Sequence, residues 1–181
     1  MADDFLRIHG YWRSLAPHGG VPERSKLDPN RLRDLLPKIV IIGRDSEMRA
    51  KCRLMGSYCV DRFGANLTGR DLLPMMGPKA ASLLEEAVSV SCMKGDGLIL
   101  HLRIKTPQRN ARASQLLLLP MRAGASCQML GALAPSRDLP ANSLPNAQGR
   151  ADRLILEGIR ILDGESAEIG PFADTEISFA D

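Results

Sequence analysis

Leu98, Leu100, Leu102 and Ile104 alternate with Ile99, His101, Arg103 and Lys105, a two-residue period that a half-buried strand uses and a helix cannot. No other segment constrains the fold as much, because a strand with one apolar face must be paired and covered before it is stable. Pairing candidates follow directly. After the polar turn Thr106 to Asn110, Ala113 to Met121 reads as a strand, with Pro120 near an end or an edge. Gly124 to Ser126 turns the chain, and Cys127 to Ala134 supplies another strand, in which Gly131 permits a close approach of backbone or ligand. Upstream, the β-branched run Ile39-Val40-Ile41-Ile42 lies between Pro37 and Gly43. With Lys51 to Met55 it reads as a hairpin across the turn Arg44 to Glu47.

Between that hairpin and the later strands the period changes. Ser57 to Met76 reads as short helical pieces punctuated by Gly64, Gly69 and Pro74. Lys79 to Met93 then places Leu83, Leu84, Ala87, Val88 and Ser91 on one helical face, and Gly95 and Gly97 end it. Two strands, a helical insert and three strands make an α+β fold: a five-stranded antiparallel sheet with helices packed on one face.

Ahead of the sheet, Phe5, Ile8, Tyr11, Trp12 and Leu15 form the apolar stripe of a helix over Asp4 to Leu15, capped by Asp3 or Asp4. Asp28-Pro29 marks a second helix start, running to Leu36. The expected organisation is an N-terminal helical extension over 1–37, a core over 38–135, a proline- and asparagine-rich linker over 136–150, and an extra strand with an acidic tail over 151–181. The extra strand centres on Leu154, Leu156, Ile159, Ile161 and Leu162.

A formal charge of +3 over 181 residues points to no nucleic-acid partner. The longest apolar runs, such as Leu116 to Leu119, are far short of the roughly 20 residues a membrane helix needs. With no secretory leader pattern at the N-terminus, a cytoplasmic location is expected. Cys52, Cys59, Cys92 and Cys127 are scattered without a C-x-x-C pair, so reduced thiols are expected and no metal site, with Cys52, Cys59 and Cys127, each among apolar neighbours, serving as small core residues. His9, His18 and His101 have no acid or cysteine at ligand spacing, and His101 falls on the outward phase of its strand. No G-x-S-x-G elbow and no phosphate-binding glycine loop is present, so enzymatic activity is not expected.

The ordered series Tyr11 to Leu15 (YWRSL), Val21 to Pro29 (VPERSKLDP), Leu35 to Pro37 (LLP), Arg53 to Ser57 (RLMGS) and Phe63 to Leu73 (FGANLTGRDLL) resembles a family of small PAS-domain proteins common in alphaproteobacteria. The resemblance is densest from Tyr11 to Leu73, and Ser57 stands where the family usually has threonine. It implies a regulator of signalling without catalytic motifs, in which Gly64 and Gly69 permit tight turns and Leu67 plugs the core. It also implies a pocket between the sheet and the helical insert, here lined by Met55, Cys59, Phe63, Leu72, Met76, Leu84, Val88, Leu100, Leu102, Leu117 and Leu130. No residue pattern selects among haem, flavin, metabolite and cyclic-nucleotide ligands, so the cofactor stays unknown.

Two further groups are candidates. Phe5, Ile8, Trp12 and Leu15 are assigned to a contact with the chain's own sheet or with a second copy in a homodimer, with Arg13 and Arg24 forming ion pairs that fix the segment. Arg103, Lys105, Arg109 and Arg112 surround one predicted hairpin and are candidates for holding an anionic ligand or an acidic partner. The function expected is a sensory module that binds a small ligand or a signalling protein. The alternative is a ligand-free adaptor using the sheet face and the N-terminal helix.

Overall fold

The computed structural model describes residues 3–44, 49–106, 109–136 and 154–162. The chain opens with α1 (Asp3–Ser14), followed by three single turns of 3-10 helix. The hairpin β1 (Ile39–Arg44) and β2 (Ala50–Met55) comes next, then α2 (Ser57–Phe63), α3 (Pro78–Lys94), β3 (Gly97–Thr106), β4 (Arg109–Ala123), β5 (Ser126–Pro135) and β6 (Leu154–Leu162). The predicted helix at Asp28-Pro29 is a 3-10 turn, Pro29–Leu32, whose start is capped as expected: the Asp28 carboxylate accepts from Asn30 N–H. No helix among the described residues is long and apolar enough to cross a membrane.

The strands form one antiparallel sheet in the order β2-β1-β5-β4-β3-β6. The expected five strands are joined by the added C-terminal strand as a sixth, which pairs along β3 from Gly97↔Leu162 to Ile104↔Leu154. Residues 45–48, residues 107–108, residues 137–150 of the linker expected over 136–150, residues 151–153 and the acidic tail from 163 onward lie outside the described residues.

Both faces of the sheet are covered. On one, α2 and α3 pack over Leu98, Leu100, Leu102, Leu116, Leu118, Met129 and Leu133. On the other, Phe5, Ile8 and Trp12 of α1 meet Ile99, Leu117, Leu119, Met121 and Leu130. This explains the unbroken leucine run Leu116 to Leu119: a central strand between two apolar layers has no wet face, so its sequence does not alternate.

Pro120 interrupts the run without cost. The pairing of β4 with β3 ends at Leu118↔Leu98, so the side of β4 toward which the proline nitrogen points carries no strand. Its carbonyl points the same way and accepts the indole N–H of Trp12 at 2.8 Å. Burying Trp12 therefore leaves its one donor satisfied. Two ion pairs, Arg7–Asp34 and Lys38–Asp4, tie α1 to the segment before β1; among the described residues neither Arg13 nor Arg24 makes the expected pair.

Candidate ligand cavity

Gly56, between β2 and α2, sets the position of the helical insert. A Cβ there would lie 2.3 Å from the carbonyl oxygens of Leu36 and Pro37, so only glycine lets the chain pass under that backbone. Its N–H donates to the Ile39 carbonyl at 2.8 Å, which fixes the first turn of α2 against β1. The helix then presents Cys59 and Phe63 toward the sheet and ends at Gly64, whose φ of 71° makes the left-handed cap. Arg62 clamps α2 to β4: its Nε donates to Ser114 Oγ at 3.0 Å and its Nη2 to the Ala113 carbonyl at 2.6 Å. Burial lowers the pKa of this guanidinium from its ordinary value. Leu67 is buried beneath the following turn, as the family resemblance implies.

These elements enclose a cavity of about 360 Å³ between α2, α3, the Leu72–Met76 segment and the sheet. That is near the lower end of the range for small-molecule sites, ~300–1,000 Å³. Of the residues named from sequence, Met55, Cys59, Phe63, Leu72, Met76, Leu84, Val88, Leu100 and Leu102 line it. Leu117 and Leu130 do not: both are fully buried against α1 on the opposite face. Their places are taken by Leu116, Leu118, Met129 and Leu133. The error is one of phase. Where both faces of a strand are apolar, the sequence carries no period to say which side chain points where, and a shift of one residue reverses every assignment.

The deep walls are apolar, and the polar lining residues gather at the opening. Arg44 of β1 and Glu85 of α3, both lining residues, pair at 3.3 Å, and the lining serines Ser89 and Ser126 are exposed. Cys59 sits in the wall, its Sγ donating to the Lys38 carbonyl at 3.2 Å. Burial, with a smaller contribution from Cys52, pushes its pKa up to about 12, so it stays a neutral thiol.

Sequence reasoning missed one feature of the rim. Cys92 of α3 and Cys127 of β5, both lining the cavity, form a disulfide with Cα atoms 6.2 Å apart, in place of the expected reduced thiols. They stand 35 residues apart in the chain, and only the packing of α3 over the sheet brings them together. Cys52 and Cys59 are free and buried.

The other candidate groups fall elsewhere. Phe5, Ile8 and Trp12 are buried within the chain, with Leu15 half-exposed at the end of α1. His9 stacks on Trp12 with ring centroids 5.8 Å apart. Burial, and then Arg13, lowers the pKa of that imidazole. The basic residues of the β3–β4 hairpin do not converge on one patch. Arg103 is paired with Ala113 and Arg112 with Ile104, so strand alternation sends the two arginines to opposite faces. Arg103 is buried, Lys105 half-buried and Arg112 exposed, while the side chain of Arg109 lies outside the described residues.

In comparison with known families, a model described as a PAS domain matches residues 3–134. No curated protein matches the chain.

Proposed function

The chain belongs to the PAS domain family, whose general role is sensory and signalling, and we propose that it acts as a non-enzymatic receptor for a small amphipathic molecule. The observation that carries this reading is the enclosed apolar cavity with its polar groups confined to the mouth. A buried polar atom without a partner costs about 1–3 kcal/mol, so the apolar depth of the cavity favours a ligand whose body carries no hydrogen-bonding groups. The Arg44–Glu85 pair and the two serines favour one polar end at the opening. Met55, Met76 and Met129 in the walls can adapt to the shape of such a molecule.

A ligand signals only if it binds one conformation better than another. Here the conformations differ in how α3 lies on the sheet, and the reader of that difference is a signalling protein in the cytoplasm. The working division of the chain is a core over 38–135 preceded by a docked extension over 1–37. The alternative of a ligand-free adaptor has less to support it, because α1 covers the sheet face that such an adaptor would offer.

Native mass spectrometry of the purified chain, with a thermal-shift series of medium-chain alcohols and carboxylic acids, tests the reading. A ligand at 100 times its Kd stabilises by about 2.7 kcal/mol. Neither a bound mass nor any stabilisation across the series would overturn it.

A further inference from the structure

α3 is held to the sheet unevenly. Only Leu84 and Ser91 along its length are buried. Its last turn is fixed to the start of β3, where Ser91 Oγ donates to the Asp96 carbonyl at 2.5 Å and Gly95 makes a left-handed cap with φ of 84°. Cys92 belongs to this same last turn, and its disulfide ties the turn to Cys127 near the start of β5, on the far side of β4 in the sheet order. Among the described residues, two links run from α3 to β1 and β5. One is the Arg44–Glu85 ion pair, whose carboxylate is 40% exposed and which belongs to a class worth little on its own. The other is the Cys92–Cys127 disulfide. Each cysteine stands beside an exposed serine of the rim, Ser89 one helical turn before Cys92 and Ser126 next to Cys127. The strongest closure of the seam between α3 and β5 is thus a bond that thiols can break.

We infer that the Cys92–Cys127 disulfide is a redox latch on the cavity: oxidised, it closes the seam and slows exchange of a bound molecule, and reduced, it lets the last turns of α3 lift from β5 and open the mouth. The inference names the regulation of the site proposed above, and its ligand-exchange consequence rests on that reading. The step is a thiol–disulfide exchange with a dithiol reductant. One thiolate of the reductant attacks a sulfur of the bond, giving a mixed disulfide and one protein thiolate, which takes up a proton. The second reductant thiolate then displaces the other cysteine. Two electrons pass to the protein, leaving two cysteine thiols and the oxidised, disulfide form of the reductant; the same dithiol in its oxidised form closes the latch by the reverse route. In a reducing compartment such a bond is transient, as a regulatory element requires.

Two free cysteines report on the latch without a ligand. Cys59 lies in the cavity wall, while Cys52 is fully buried in the same core and does not line the cavity. Alkylation by an apolar maleimide, located by peptide mass spectrometry, is compared between the oxidised chain and the C92S/C127S variant. Burial raises the pKa of both reporter thiols, so each reacts slowly in the closed chain, and opening the cavity at Cys59 favours its thiolate as well as its access. The latch predicts that Cys59 reacts at least about ten-fold faster in the variant while Cys52 does not change, since local opening need not involve the whole fold. Equal rates at Cys59 would overturn it, and so would parallel acceleration at both cysteines, which signals general loosening. If the variant does not fold, hydrogen exchange on the chemically reduced wild type decides: loss of protection confined to α3 supports the latch, and loss spread over the sheet or absent overturns it. The reagent needs no bound molecule, so failure here is distinct from failure to find a ligand.

Discussion

Replacing Trp12 by alanine tests whether α1 is part of the fold or an appendage. The indole is 3% exposed, packed on the sheet face opposite the cavity, and its N–H is bonded to the buried Pro120 carbonyl. Truncating a buried tryptophan costs about 3–5 kcal/mol. The carbonyl left without a donor adds on the order of 1 kcal/mol. A total of about 4–6 kcal/mol is a large share of the ~5–15 kcal/mol by which domains are stable. With a urea slope of about 2 kcal/mol/M, the unfolding midpoint falls by roughly 2–3 M. Far-UV circular dichroism is the appropriate readout, because Trp12 is the only tryptophan and the variant has no indole to follow. Trp12→Phe keeps most of the buried ring and loses the hydrogen bond, so it should lose only about 1–2 kcal/mol. A Trp12→Ala midpoint within about 0.3 M of wild type would refute the docking of α1 on the sheet.

Gly56→Ala should cost more than about 3 kcal/mol or prevent folding, since its Cβ meets backbone oxygens at 2.3 Å that cannot move aside. Gly131→Ala should cost about 1–3 kcal/mol in the same denaturation assay, because its nearest obstacles, Val40 Cγ1 at 2.5 Å and Leu118 Cδ2 at 3.1 Å, are side chains that border the cavity and can turn into it. Arg62→Met should lose about 1–3 kcal/mol by removing the donor to Ser114 and Ala113, with exchange protection falling first in α2. His9 binds its proton less readily in the folded chain than in the unfolded one. Stability should therefore hold above the ordinary value of 6.5 and fall as pH drops through it toward the lower folded value, a slope that His9→Gln flattens in denaturation curves at pH 5.5 and 7.5.

The parts of the fold legible in the sequence are those with one wet side. The apolar stripe of α1 follows from half-burial, and the glycines at 64 and 95 are visible because only glycine takes those caps cheaply; β3 is the exception, since its alternation reads as a half-buried strand while Ile99 and Arg103 on its second face are buried as well. The wall residues of α2 and α3 are named from the family resemblance, and the structure places Cys59, Phe63, Leu84 and Val88 along the cavity. The sequence stops being informative where both sides are dry: along β4 and β5 the phase is lost, and Leu117 and Leu130 are mistaken for wall residues. It is also silent on contacts between distant segments. Nothing local to Cys92 or Cys127 marks a partner 35 residues away, and nothing near Ser114 marks Arg62 except a polar residue at the head of a leucine run.

Calorimetric titration of medium-chain alcohols and carboxylic acids into the wild-type chain and into Val88→Phe asks most directly whether the cavity receives a molecule. Val88 lines the cavity from α3, and a phenyl ring there occupies the space without burying a polar group. The account predicts saturable one-to-one binding with a negative heat-capacity change in the wild type, and none in a Val88→Phe chain that keeps its circular dichroism. Binding to neither chain, or to both alike, would contradict it.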